Sequence, residues 1–531
     1  MSGGHNILRS STGIALATTL SRILGFFREV LTAMVLGGGT VATAWSLAFV
    51  LPNLFRRILG EGALGTALVP LISHTLELEG HEAARHKFVS VLFWLSLLLG
   101  VITVLVSAGA LIAEPFVSTE RVKLTLQITP AVMPYCIFIC LIGIMASLLN
   151  SMRIFFMPAL ASLLLNIFLI GCLWWVWVCP YFKDNAKGVL YSLSVAVLLS
   201  GIVEIVFFLW LLKRADMFPR FNIEAIRDSK HLRELWHLTL PGLIGASVVQ
   251  ISFLIDRGLA CWLSDYAVPA LTYSDRIVYL PIGIFAVSFG TVSLSEMSRA
   301  AAQGDLSRMS SSMVFALRHL LFVSIPIAVF IAIFKEPIIR ICFMRGNFDE
   351  QAVRETAWAL MFYSYGIPAF AAAKVTLAGF YSRKDMKTPV KVSICCVTLS
   401  ITLSLILMWP LKQGGIALST VIASFVNNIV LLVLLRRIVG DLHLGPVFRT
   451  CVFSAGAALC SGFGLLMLYD KIPCLQLHHY MPKDFLPLGL TGTLFVLSYI
   501  SLCALARCPE ISEICGPLWK KLRSKLTSKG E

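Results

Sequence analysis

Apolar runs of about twenty residues or more follow one another along almost the whole chain, separated by short polar stretches, and that pattern decides the fold class. Coiled as a helix, each run reaches across about 30 Å of hydrocarbon. Backbone polar groups inside such a layer find no water, so they must be satisfied within their own segment, and helices do this. The chain is therefore expected to be an all-α polytopic membrane protein. Fourteen spans are read, roughly 10–36, 41–77, 86–113, 124–150, 157–180, 187–212, 236–264, 268–299, 309–334, 355–380, 387–410, 413–437, 447–469 and 485–507. Several exceed the bilayer thickness and should tilt or kink, and Pro52 and Pro281 place bends inside two of them. Composition agrees: 57% of residues are hydrophobic and 14% charged, against about 25% charged in a soluble domain.

An even number of spans puts both termini on one side. With both ends cytoplasmic, inside segments carry 25 Lys and Arg and outside segments 11, the bias of the positive-inside rule. The net charge of +15 thus sits in short loops, with no zinc-finger or basic-helix pattern, which argues against nucleic acid as a partner. The first apolar stretch contains Arg22 and Arg28 and lacks a small-residue cleavage site, so it reads as an uncleaved span. Fourteen cysteines lie mostly in apolar runs without a C-x-x-C pair and read as packing residues, not as metal ligands. The polar stretch from Lys213 to Glu234 reads as a cytoplasmic linker, partly an amphipathic surface helix. The expected organisation is 1–213 (helices 1–6), 214–235 (linker), 236–440 (helices 7–12), 441–508 (two further helices) and 509–531 (basic cytoplasmic tail). A faint repeat relates the halves, because Arg28 precedes Pro52 by 24 positions and Arg257 precedes Pro281 by 24. With six spans per half, such repeats would run parallel.

Eight cations fall inside the spans: Arg22, Arg28, Arg56, Arg57, Arg257, Arg276, Arg318 and Lys374. An arginine at the bilayer centre costs between about 2.5 and more than 10 kcal/mol, so it must meet a wet cavity, an acid or an anionic ligand. Arg22 and Glu29 are seven apart and share a helix face, which leaves a structural ion pair as one reading. Arg28 projects about 100° from Glu29 and has no obvious partner on its own helix, which favours a ligand. Arg57 and Glu61 are four apart and can pair, while Arg56 is left over; topology anchoring is the competing account. Asp275 precedes Arg276. Lys374 stands among Ala371, Ala372 and Ala373, either on a cavity wall or snorkelling to the surface. Asp256 is a candidate cation or proton site, or simply the partner of an arginine. Glu204 and Glu296 are further buried acids with no assigned role. Gly60 to Gly65 spells G-x-G-x-x-G, but helical apolar sequence precedes it where a dinucleotide fingerprint needs a strand. No nucleophile–base pairing stands out, which favours a transporter over a membrane enzyme.

One ordered set of motifs is more specific. Ser21-Arg22-Ile23-Leu24-Gly25-Phe26, Leu51-Pro52-Asn53-Leu54-Phe55-Arg56-Arg57, Glu61-Gly62-Ala63 and Val69-Pro70 resemble the MurJ (MviN) family of lipid II flippases. So do Tyr273-Ser274-Asp275-Arg276 with Pro281, and Phe380-Tyr381-Ser382-Arg383-Lys384-Asp385 followed by Lys387-Thr388-Pro389-Val390-Lys391. The resemblance covers roughly residues 8–440. It implies the multidrug/oligosaccharidyl-lipid/polysaccharide exporter fold, with two six-helix lobes of MATE-like fold and two C-terminal helices that hold a polyprenyl tail. It implies a substrate, undecaprenyl-pyrophosphate-linked disaccharide-pentapeptide, moved from inner to outer leaflet of the bacterial inner membrane. It implies a cationic central cavity built from Arg22, Arg28, Arg56, Arg57 and Arg276, with Ser21, Glu29 and Glu61 alongside; Lys374 joins them as a candidate. Membrane lipids and the cell-wall synthesis machinery are the implied partners. Asp256 and Thr420 match the pattern of sodium-coupled members, so a coupling cation (sodium or proton) or the membrane potential is the expected driving agent and no cofactor is expected. Thr43 stands where members often carry an acid, and Ser400 and Ser404 stand where stronger ion ligands would be. Two rivals remain: a flippase for another polyprenyl-linked oligosaccharide, and a cation-coupled multidrug exporter, for which an acidic cavity would be expected.

Overall fold

The computed structural model describes residues 2–60, 63–152, 154, 156–220, 229–469 and 485–513, and all regular structure among them is helical. The first helices are α1 (Ser2–Leu36), α2 (Thr40–Phe55), α3 (Ala63–Leu78), α4 (Gly80–Ala113), α5 (Glu120–Val132), α6 (Tyr135–Ser151), α7 (Phe156–Val178), α8 (Ala186–Arg214) and α9 (Ser229–Leu263). Then come α10 (Ala267–Pro281), α11 (Val287–Ala302), α12 (Leu306–Ile333), α13 (Lys335–Phe343), α14 (Glu350–Tyr365), α15 (Ile367–Tyr381), α16 (Lys387–Leu411), α17 (Gln413–Val439), α18 (Gly445–Tyr469) and α19 (Phe485–Leu505). Every predicted span falls on a described helix or on two consecutive ones. By length and hydropathy, nine of the described helices qualify as membrane-crossing, or ten if α5 and α6, bent by 49°, form one span. Fourteen therefore counts helical stretches. The four outside that set, α1, α2–α3, α9 and α14–α15, carry Arg22, Arg28, Arg56, Arg57, Arg257 and Lys374. Much of the linker read over 214–235 and of the tail over 509–531 lies outside the described residues.

Packing divides the chain into two compact units, Met1–Pro269 with Arg345–Ala352, and Ala270–Met344 with Val353–Glu531. Division by repeat had placed 236–263 in the second half; by packing, α9 falls in the first unit. Two apolar clusters fill that unit. One centres on Leu68, Phe88, Leu99, Ile144 and Phe208, the other on Trp45, Ile128, Tyr135, Leu173 and Leu190. Helices surrounded by lipid gain little from apolar transfer between one another, so close backbone approach matters more. A Cβ added to Gly143 of α6 would lie 2.8 Å from the Gly60 carbonyl. Gly60 and Gly65 thus serve helix contact, with Gly60 buried beside Cys140 and Gly143 and Gly65 against Ser147.

Both Leu-Pro steps are followed by a π-helical turn, Arg56–Gly60 after Pro52 and Ile282–Ala286 after Pro281. A proline lacks the amide hydrogen that the preceding turn needs, and widening the helix downstream absorbs the defect. Each Leu-Pro step thus carries a backbone irregularity, beginning at Arg56 after Pro52 and at Ile282 directly after Pro281. At α5–α6 the 49° bend falls at Met133-Pro134, where no bend is read from sequence.

In the second unit, Lys412 alone (φ 52°) separates α16 from α17, and Gly415 is packed so tightly that a Cβ would meet the Leu407 carbonyl oxygen at 2.1 Å. Helices α18 and α19 dock on α12. The Tyr499 hydroxyl donates to the Phe322 carbonyl at 2.8 Å and lies 2.8 Å from the Ser454 hydroxyl, and Phe330 packs on Phe495. Arg318, one of the eight span cations, has a structural partner: its Nε and Nη2 donate to Glu510 Oε1 at 2.9 and 2.8 Å. The Thr450 hydroxyl donates to the same oxygen, and His319 Nε2 lies 3.0 Å from Glu513 Oε2. Glu510 follows the last helix and is only 2% exposed. Burial alone would raise its carboxyl, but Thr450, its own backbone amide and the Arg318 guanidinium outweigh that and hold it below the usual carboxylate range.

Two outcomes follow. Glu510→Ala removes the buried acceptor of both Arg318 bonds and leaves that guanidinium only Glu513 at 3.5 Å, which should cost about 2–4 kcal/mol, read as a lower melting temperature in detergent. Because the folded carboxyl is held low, its contribution is complete above about pH 4.3 and fades as pH falls through the folded value, so the deficit of the variant against the parent should shrink only in acid. Gly143→Val should destabilise by about 1–3 kcal/mol or more through overpacking against Gly60.

Candidate functional site

Helices α1 and α7 bring the first group together. Gly25 lacks a side chain where α1 faces α7, and a Cβ there would lie 3.9 Å from Asn166 Oδ1. Across that approach Arg28 Nη1 donates to Asn166 Oδ1 at 3.0 Å, and Asn166 Nδ2 reaches the Ser21 carbonyl at 3.5 Å. Arg28 Nη2 pairs with Glu29 Oε1 at 2.5 Å, with side chains 15% and 10% exposed. This corrects the sequence expectation that Arg28 lacks a partner on its own helix. The helical wheel separates the two Cβ directions by about 100°, but a long guanidinium curls around the backbone to meet the adjacent carboxylate. Arg22 is exposed on α1, and Ser21 is half-buried.

The π turn positions the next pair. Arg56 and Arg57 are its first two residues, and a π turn shifts the direction of the side chains that follow relative to a regular helix. Arg56 is half-buried and Arg57 exposed. Arg57 Nη1 donates to Gln250 Oε1 of α9 at 3.3 Å, and its guanidinium lies 5.8 Å from the Phe253 ring centre. Glu61, the expected partner of Arg57, lies outside the described residues. Arg257, 1% exposed, stacks on the other reach of Phe253 at 4.5 Å. Asp256 is 6% exposed on the same helix.

In the second unit the Tyr273–Arg276 motif divides its labour. Tyr273 is buried and packs on Phe343. The Ser274 hydroxyl sits 2.6 Å from the Ala270 carbonyl and 2.9 Å from the Thr356 carbonyl, tying α10 to α14. Arg276 is exposed on α10. Lys374 is also exposed, its stem packed where Gly290 of α11 leaves room: a Cβ on Gly290 would lie 3.2 Å from Lys374 Cβ. The Thr420 hydroxyl donates to the Ile416 carbonyl at 3.1 Å, an ordinary turn-to-turn bond, and Ser404 meets Ser419 at 2.5 Å. Asp256 and Thr420 belong to different units.

Several partners escaped sequence reading. Asn166 and Gln250 hold arginines, and an amide in an apolar run was the only available signal. Thr43 is fully buried and donates to the Asp265 carbonyl at 2.5 Å, while Asp265 itself pairs with Arg121 at 2.6 Å. Glu296, read as a buried acid, is 39% exposed and faces Arg299 and Arg308. The Ser382–Asp385 motif is a turn and cap: Lys384 adopts φ 60°, and Asp385 Oδ1 accepts from the Lys387 and Thr388 amides. The Thr388 hydroxyl and then those amides hold Asp385 below the usual carboxylate range.

These placements separate two kinds of arginine. Arg28→Ala removes a mostly buried ion pair with Glu29 and the bond to Asn166 and should cost about 3–5 kcal/mol, whereas Arg276→Ala, at an exposed position, should cost less. Melting curves of both variants in detergent check this, and an equal loss in both would contradict it.

Comparison with known proteins agrees with this geometry. The family model described as "Lipid II flippase MurJ" matches residues 32–487. A probable lipid II flippase MurJ of Rhizobium meliloti (strain 1021) is 34% identical over 423 residues, 78% of each chain. A lipid II flippase MurJ of Burkholderia cenocepacia is 29% identical over 440 residues, 81% of this chain and 84% of its own. Among solved structures, a lipid II flippase MurJ in an inward closed conformation superposes with TM-score 0.75 at 24% identity, covering 93% of this chain and 98% of its own. An inward-facing MATE family transporter of the MOP superfamily superposes with TM-score 0.68 at 17% identity, over 81% and 98%. The backbone thus has the fold these transporters share. With the family model spanning most of the chain and a relative above 30% identity over most of its length, this multi-span membrane protein belongs to the MurJ family of lipid II flippases.

Proposed function

We propose that this protein moves lipid II, the undecaprenyl-pyrophosphate-linked disaccharide-pentapeptide, from the inner to the outer leaflet of the bacterial cytoplasmic membrane by alternating access. The carrying observation is the set of cations at membrane depth: Arg28 held by Glu29 and Asn166, Arg56 and Arg57 on a π turn, and Arg276 and Lys374 exposed on the second unit. A pyrophosphate cannot cross hydrocarbon bare. Guanidinium groups replace its water with charge-assisted, often bidentate bonds. Arg22, Arg28, Arg56, Arg57 and Arg276 take the phosphates in this reading, with Ser21, Glu29, Glu61 and Lys374 as further substrate-binding residues. Asn166 fixes the pose of Arg28, and α18 and α19 hold the isoprenoid, whose long chain stays in apolar surroundings.

Both termini face the cytoplasm in this reading. The loop charge bias supports it, and so does the Arg318–Glu510 pair, which joins the early part of α12 to the segment after the last helix. The membrane potential acts on the cationic carrier and resets it; sodium or proton coupling at Asp256 and Thr420 is the rival account. The protein acts as a carrier and not as an enzyme, and it works beside the cell-wall synthesis machinery.

The test is a leaflet assay in cells depleted of their own flippase. This chain should restore outer-leaflet lipid II, while Arg28→Ala and Arg276→Ala variants present at parental levels should lose at least about tenfold. Undiminished flipping by both variants would overturn the reading. In vesicles, collapsing the potential should slow transport, whereas replacing sodium should not.

A further inference from the structure

The start of α16 and the end of α17 carry charge that the site already described does not use. Lys412 alone joins the two helices, so they run antiparallel and the first turns of α16 lie beside the last turns of α17. Lys387 and Lys391, four apart on α16, share one face and are exposed. Arg436 and Arg437 stand in the last turn of α17 and are also exposed. The end of α15 joins them. A Cβ on Gly379 would lie 2.8 Å from Leu435 Cδ2, and the turn that follows adds exposed Arg383 and Lys384. Among the described residues of these segments the acids are Asp385 and Asp441. Asp385 is taken up as the cap of α16, and Asp441 lies 3.3 Å from Arg436. This end of the hairpin is therefore strongly positive.

Cations at a cytoplasmic helix end follow from the positive-inside rule, but the groove they border does not. It has a volume of about 310 Å³ and is lined by Val392, Cys396 and Leu399 of α16 and Val426 and Val430 of α17. Lys391 stands at one end and is the one charge in the lining. The lining of α16 runs from residue 391 to 399, about 12 Å at 1.5 Å per residue. Ile394, Ile429 and Val433 beside it are exposed and apolar, a surface suited to hydrocarbon.

We propose that this groove binds an acyl chain of an anionic phospholipid, whose headgroup phosphate sits among Lys387, Lys391, Arg436 and Arg437. Basic pockets between membrane helices at the cytoplasmic side recognise such headgroups. A cation at the mouth of an apolar channel matches a ligand that is charged at one end and apolar along the rest. Length separates this ligand from the polyprenyl substrate, because about two helical turns hold part of an acyl chain but not a long isoprenoid. Bound there, the lipid offsets repulsion within the cluster and stabilises the folded protein by mass action. Its placement in the inner leaflet rests on the reading that both termini face the cytoplasm.

The experiment uses full-length protein in phosphatidylcholine vesicles that contain a trace of phosphatidylglycerol with a photoactivatable acyl chain. Illumination and peptide mapping should place crosslinks on 391–399 and 426–430. Excess unlabelled phosphatidylglycerol should remove them, while the same excess of phosphatidylcholine or undecaprenyl phosphate should not. Lys387→Glu combined with Lys391→Glu should cut the labelling at least about fivefold. Val430→Trp, which fills the groove and leaves every charge in place, should do the same. In detergent, added phosphatidylglycerol should raise the melting temperature of the parent more than that of the double variant. A photoactivatable phosphatidylcholine that labels these peptides equally well would mark ordinary lipid contact and overturn the proposal. Displacement by undecaprenyl phosphate would also overturn it and make the groove a polyprenyl site. The competition in the parent needs no variant to fold. Outer-leaflet lipid II in the cell assay is a separate readout, so either failure leaves the flippase reading standing.

Discussion

Charge in a medium that cannot solvate it is the constraint on which the rest of this structure depends. Each arginine within the spans needs a partner or a wet surface, and the helices are arranged so that it gets one. Arg28 meets Glu29 and Asn166, Arg57 meets Gln250 and Phe253, Arg257 stacks on Phe253, and Arg318 is clamped by Glu510. Glycines at 25, 60 and 143 allow the close approaches that let those partners reach. Amides and aromatic faces thus share with acids in meeting the cost of membrane charge.

The arginines divide by what surrounds them. Arg318 and Arg28 are held in place by ion pairs, whereas Arg22, Arg57, Arg276 and Lys374 are exposed on their own units. Arg57 also meets Gln250 and Phe253, yet like the others it keeps an exposed charge that a leucine in contact with lipid would avoid. That asymmetry supports an anionic ligand more strongly than the number of arginines does. The π turn adds to it, since a backbone irregularity carrying two adjacent arginines is a common mark of function.

Legibility differed between fold and site. Every long apolar stretch was readable as helix, because an apolar run of that length in a membrane leaves the backbone a single way to bond itself; the short α13, Lys335–Phe343, was not. Arg28, Arg56 and Arg276 stood out for the same reason in reverse. The wheel argument failed at Arg28 because it fixes where a Cβ points, not where a flexible guanidinium ends. Glu296 was misjudged because an acid near a helix end looks the same in sequence whether it is covered or bare. The motif over 382–385 looked functional and is a turn and a helix cap, since only φ and the amide positions around Asp385 distinguish the two.

Hydropathy and residue order alone settle that this is a helical membrane protein with misplaced cations and a doubled Leu-Pro step, since those follow from local chemistry at each position. Which amide answers which arginine, that α9 packs with the first unit, and that Thr43 serves a backbone carbonyl are facts of the folded chain. They depend on residues far apart in sequence meeting through helix packing, and the rotation of one helix about its axis against another is set by many small contacts that no single stretch of sequence contains.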